Sequence, residues 1–196
     1  MAQERISFGT KTRVRYTDAV CQRPTTVECA NQPSVLYEDT FTLPLAVAGD
    51  SVQAAFDASY GRNAENSVKA CPGCKAPLTR YTRIEALGDY VLIQLKRYAY
   101  EDGRAAKDDS PVVPTDPLTV STASSQTASL VLRSIVCHAG AVPTSGHYTA
   151  ATKCGDALTY LYDDDRPPEP YEPEVQALQT AYLLLYKKRA KQGGSS

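Results

Sequence analysis

The apolar residues of this chain recur at every second position more often than at helical spacing, and that rhythm limits the fold to one built mainly from strands. Thr12 to Val20 alternates polar and apolar residues. Thr40 to Val47 is a second extended run, and Pro44 within it, lacking an amide donor, predicts a sheet edge or a bend. Leu78 to Glu85 and Tyr90 to Tyr100 are extended again. In the latter, Val91, Ile93 and Leu95 alternate with Leu92, Gln94 and Lys96, as in a mostly buried strand. Leu130 to His138, His147 to Thr152, Leu158 to Tyr162 and Ala181 to Lys188 complete the strand set. Helical spacing marks Ser51 to Tyr60, where Val52, Ala55, Phe56 and Tyr60 share a face and Asp50 or Ser51 is the N-cap. A second short helix is expected around Glu174 to Leu178. The charged stretch Glu101 to Asp109, with Gly103, reads as an exposed turn, and Ser121 to Ala128 as a loop. The sum is an α+β domain, mostly antiparallel.

With 196 residues the chain is long enough for one domain with a substantial core. Its net charge of −1 argues against a general nucleic-acid binder, which carries a basic face. No apolar run reaches the length of a membrane span, and the first ten residues have no signal-peptide core, so a cytoplasmic or nuclear location is expected. Thirteen tyrosines and no tryptophan point to half-buried strand positions, where a ring packs and its hydroxyl stays wet.

Only two histidines are present, so any imidazole mechanism must use His138 or His147. His147 opens a strand after the Gly-containing turn Ser145-Gly146. Asp163 and Asp164 follow the next strand, and a hairpin would bring imidazole and carboxylate side by side. A carboxylate there fixes the tautomer and stabilises the imidazolium, the base-and-orienter half of a catalytic triad. Spacing alone fits equally a surface histidine beside an acidic turn.

A resemblance narrows the choice. Leu87 to Tyr98 (LGDYVLIQLKRY) resembles a strand of the ubiquitin-specific proteases. Val136 to Gly140 followed by Ser145 to Ala150 resembles that family's histidine box. Leu158 to Asp165 is similar to its acidic element, with Leu158 where the family usually has Trp, and Ala181 to Tyr186 to its closing strand. Phe8-Gly9, Glu38 to Phe41 and the helix from Ser51 match the entry to the family's fingers and the helix that follows. The ordered match covers roughly residues 6 to 188.

The resemblance implies a papain-like cysteine protease fold with a mostly antiparallel β palm and a finger subdomain, missing its helical thumb. Fingers would span about 10–80, the palm about 81–188, and 189–196 would be a flexible tail. His147 would be the general base, Asp163 its orienting carboxylate and Asp164 a polar neighbour, with His138 structural or lining the substrate channel. The family's thiolate nucleophile sits at a helix N-terminus upstream of the fingers, and no counterpart is found here. Cys137, beside His138 on a core strand, and Cys154, at a turn, do not open a helix, and structural roles are expected for both. The chain alone is therefore expected to be inactive. It is either part of a deubiquitinase, completed by a thumb segment or a partner chain, or a non-catalytic ubiquitin-binding or scaffold module. In both cases the partner implied is ubiquitin or a ubiquitinated protein. A zinc-containing β-rich interaction domain unrelated to ubiquitin is the remaining alternative. Cys71-Pro-Gly-Cys74 has knuckle spacing for a structural zinc ion, with Cys21 and Cys29, separated by seven intervening residues, as the second pair. Free thiols in a collapsed finger tip are the other reading.

Overall fold

The computed structural model describes residues 12–18, 35–61, 65–71, 74–101, 104–154, 158–171 and 180–190. The expected helix at 174–178, the tail from 191, and Cys21 and Cys29 lie outside the described residues.

Two sheets carry the described chain. The first has four strands: β1 (Thr12–Asp18) lies between β2 (Val35–Thr40) and, after β3 (Thr42–Ala46), α1 (Val52–Tyr60) and β4 (Glu65–Ala70), the long β5 (Pro77–Ala86). Its order is β2-β1-β5-β4, and every pair is antiparallel. The second sheet is built on β6 (Tyr90–Lys96). The hairpin of β7 (Tyr98–Glu101) and β8 (Arg104–Lys107) stands apart from it. The remaining strands are β9 (Leu118–Ser121), β10 (Thr127–Val142), β11 (Ser145–Cys154), β12 (Leu158–Tyr162), β13 (Glu169–Pro170) and β14 (Ala181–Lys188). Their order is β13-β12-β11-β10-β14-β6-β3, with β9 also on β10. The domain is thus mostly β, with one short helix among the described residues.

Local chemistry accounts for these placements. In β6 the buried Val91, Ile93 and Leu95 face the core, and the alternating side chains are part-buried or exposed. β3 pairs only with β6, in parallel, so Pro44 sits on the sheet edge where a missing amide breaks no ladder. Nine residues are too few for a stable isolated helix. α1 is held instead by burial of Val52, Ala55, Phe56 and Tyr60, each worth up to about 1.5–3 kcal/mol for the larger side chains. Ser51 caps it by accepting from the Ala54 amide at 3.2 Å. Gly61 ends it, and a Cβ there would lie 2.2 Å from the Asp57 carbonyl.

Three segments differ from expectation. Val35–Thr40 is a strand although nearly all of it is exposed, because backbone pairing with β1 holds it. The charged stretch after Glu101 contains the strand β8 rather than turn alone. Ser121 to Ala128 is a tight hairpin joining β9 to β10, closed by the Thr122 amide donating to Gln126 O at 2.8 Å.

Candidate active site

The β10–β11 hairpin sets one half of the site. Its register pairs His138 with Tyr148 and Ala139 with His147, and a bulge follows before Val142 meets Ser145. Gly146 makes the close approach possible. A Cβ on it would lie 2.3 Å from His138 Nε2 and 2.6 Å from the Ala139 carbonyl. The hairpin closes onto the His138 ring, and His147 emerges half-exposed at the start of β11.

The β11–β12 hairpin sets the other half. Ala150 pairs with Tyr162, so the next residue, Asp163, stands across from Thr149 and diagonal to His147 on the same face. The carboxylate meets the imidazole there: Asp163 Oδ1 is 2.5 Å from His147 Nε2. Its other oxygen takes the Arg166 guanidinium at 2.8 Å, and the Arg166 amide donates to the Asp163 carbonyl at 3.1 Å. Asp164, with φ of +49°, points its carboxylate at His147 Nδ1 from 3.9 Å, outside hydrogen-bond range, and is 79% exposed. Asp163 is therefore the carboxylate in contact with the ring at Nε2, and Asp164 stands off from Nδ1. His147, Asp163 and Asp164 offer ligand atoms within 4.8 Å of one another. The Arg166 guanidinium already neutralises charge that a cation there would need.

His138 has a different environment. It is buried, its Nδ1 is 2.5 Å from the Tyr98 hydroxyl, and its ring stacks on Tyr148 with centroids 4.2 Å apart. Nε2 faces Gly146 without a hydrogen-bond partner. Burial, and then the Lys107 charge, push its pKa below the ordinary value, so it stays neutral and acts as a wedge under the His147 turn. Tyr182 completes this aromatic packing, its hydroxyl accepting from Gln94 at 2.6 Å. The high tyrosine count was the only sequence signal for this cluster.

Arg97 has a role that the sequence did not reveal. Its guanidinium is buried and donates to the carbonyls of Ala181 at 2.6 Å and of Asp108 and Ser110 at 2.9 Å. It ties the end of β6 to the start of β14 and to the loop after β8. Cys137 is part-buried against the core, and burial pushes its thiol pKa up, opposite to what a nucleophile needs. Cys154 ends β11.

At the tip of the β4–β5 hairpin, Cys71 is buried and Cys74 half-buried. The Lys75 amide donates to Cys71 O at 2.9 Å, the Cys71 amide to Ala76 O at 2.8 Å, and Lys75 has φ of +61°. This knuckle turn suits two thiolates of one tetrahedral zinc ion. Cys21 and Cys29, the expected second pair, are outside the described residues.

No helix among the described residues is long and apolar enough to cross a membrane. A family model described as ubiquitin carboxyl-terminal hydrolase matches residues 8–186. Ubiquitin carboxyl-terminal hydrolase 36 of Drosophila virilis is 28% identical over 165 residues, which make up 80% of this chain and 14% of that protein. The SAGA Ubp8/Sgf11/Sus1/Sgf73 DUB module bound to ubiquitin aldehyde contains a chain matched with a TM-score of 0.73 and 19% identity. The match covers 92% of this chain and 41% of that one. A yeast SAGA DUB module with a substituted Sgf73 matches at a TM-score of 0.72 and 21% identity, over the same shares of the two chains. This chain thus spans well under half of the relatives it matches. It belongs to the ubiquitin carboxyl-terminal hydrolase family.

Proposed function

We propose that this chain forms the palm and fingers of a cysteine-type deubiquitinase domain with a papain-like fold, in which His147 is the general base and Asp163 orients it. The fingers take residues about 10–80, the palm about 81–188, and 189–196 form a tail. The contact between His147 Nε2 and Asp163 Oδ1 carries the reading, because a carboxylate on one ring nitrogen fixes the tautomer and the orientation of the ring. The thiolate this pair would activate comes from a thumb segment or partner chain, and attacks the carbonyl of ubiquitin's C-terminal glycine, breaking the amide bond after it and releasing the amine. Cys71 and Cys74, with Cys21 and Cys29, hold a structural zinc that pins the finger tip. Four thiolates would leave no open position, so the ion supplies no chemistry to the reaction.

A second reading rests on one observation. Arg166 holds the second oxygen of the Asp163 carboxylate, an ion pair that a binding surface can use without any catalysis. That arrangement suits a non-catalytic ubiquitin-binding module. Titrating the 196-residue chain with ubiquitin, and then with a fluorogenic ubiquitin C-terminal substrate, tests what the two readings share. Ubiquitin binding without turnover is expected. Turnover, or labelling by a ubiquitin electrophile, would sink the inactivity of the isolated chain. No binding at high micromolar ubiquitin would sink both readings.

A further inference from the structure

A pocket of 520 Å³ lies where the two sheets meet, and it shares no residue with the His147 site. Its walls come from β1, β5, the C-terminal half of α1 and the β9–β10 hairpin. Two guanidiniums line it. Arg15 on β1 and Arg83 on β5 are direct cross-strand partners, a placement in which like charges repel. Arg15 makes no hydrogen bond or ion pair among the described residues, and its Nε is buried without a partner. Buried donors are rarely left in that state in native proteins. Arg83 donates one bond to the Thr82 carbonyl at 2.9 Å and lies 5.6 Å over the Tyr81 ring. Glu85, farther along β5, couples electrostatically to Arg13 and does not line the pocket.

The remaining walls describe what would fit. The hydroxyl residues Ser121 and Thr127 stand at the mouth, and guanidinium forks with hydroxyls suit the several acceptors of a tetrahedral oxyanion. Tyr60 and Tyr81 supply ring surface. The Asp57 carboxylate also lines the pocket, accepting from Gln53 Nε2 at 3.1 Å. The volume falls within the roughly 300–1,000 Å³ of small-molecule sites and exceeds the needs of a bare oxyanion.

We propose that this pocket binds a small phosphomonoester carried on a ring, its phosphate on Arg15 and Arg83 and its ring against Tyr60 and Tyr81. Asp57 then accepts from a donor on the ligand's body. Binding satisfies the buried Nε of Arg15.

Calorimetry on the 196-residue chain with inorganic phosphate, AMP and phosphotyrosine tests this. AMP or phosphotyrosine is expected to bind about tenfold or more tightly than phosphate, and which of them does so separates a nucleotide from a phosphorylated amino acid. Arg15→Gln and Arg83→Gln should each weaken binding about tenfold or more, the loss of a charge-assisted hydrogen bond. Thermal melts provide a readout that guards against misfolding. Without ligand, Arg15→Gln should melt at or above the wild-type midpoint, because a buried donor without a partner has been removed. The ligand should raise the wild-type midpoint and raise the variant's by less. No binding of any of the three at millimolar concentration overturns the proposal. So does phosphate binding as tightly as the other two, or affinity unchanged in both variants.

Discussion

Gly146→Ala tests how the candidate base is positioned. The added Cβ would lie 2.3 Å from His138 Nε2, 3.0 Å from its Cδ2 and 2.6 Å from the Ala139 carbonyl. The ring cannot swing away at no cost. Retreat breaks the hydrogen bond to Tyr98, worth about 1 kcal/mol net, and disturbs the stack on Tyr148, worth about 0.5–1.5 kcal/mol. Moving the backbone instead opens the bulge after Ala139 and carries His147 with it. Either route gives a destabilisation of about 2 kcal/mol, within the usual range for overpacking. For a domain of this size that lowers the thermal midpoint by roughly 4–8 °C. Urea denaturation gives the free energy, and imidazole NMR shifts report whether His147 has moved. In a His138→Ala background the substitution should cost about 1 kcal/mol less, the remainder coming from the Ala139 carbonyl. A Gly146→Ala protein within about 0.5 kcal/mol of wild type, or equal costs in both backgrounds, would refute the wedge.

Other consequences are as direct. Arg97→Ala strands three carbonyl acceptors around an emptied buried site and should destabilise by about 3 kcal/mol or more in urea denaturation. Burial, and then the Lys107 charge, push the folded pKa of His138 below the ordinary 6.5, so below that pH the unfolded chain binds the proton and the folded one does not. Stability is therefore lost as pH falls through 6.5 toward the lower folded value, and His138→Gln should flatten the thermal midpoint profile between about pH 7 and 5. Protein purified without chelator should carry one zinc per chain by elemental analysis, and Cys71→Ser should lose it. A ratio near zero in the wild type would end the zinc proposal.

How much of the fold could be read from the sequence depended on whether side chains or backbone did the work. β6 was legible because Val91, Ile93 and Leu95 alternate in a way only a one-sided strand rewards. Pro44 announced the sheet edge by its missing donor, and Ser51 announced α1 by its cap. β2 and β8 gave no such signal. One is almost wholly exposed and the other is short and charged, so main-chain pairing, which any residue can make, defines both. β9 was hidden for a related reason. Its four residues lead straight into a turn of small polar side chains, which look the same in a loose loop as in a tight hairpin.

The candidate site divides along the same line. Spacing allowed His147 and Asp163 to meet as diagonal neighbours across paired strands, and the family resemblance, not the spacing, singled that pairing out. Which ring nitrogen would be held, and that Arg166 would take the second carboxylate oxygen, depend on rotamers and on the turn at Asp164, which spacing does not encode. Arg97 was visible as a residue and invisible as a buried one, since its partners are carbonyls contributed by any residue at those positions. The two histidines show the division most clearly. The exposed pair of His147 and Asp163 contributes at most about 1 kcal/mol to folding, so its geometry has to be imposed from below. His138 imposes it, being buried, neutral and closed over by a glycine. The residue proposed as base therefore need not stabilise the fold, and the histidine packed beneath it need take no part in the proposed chemistry.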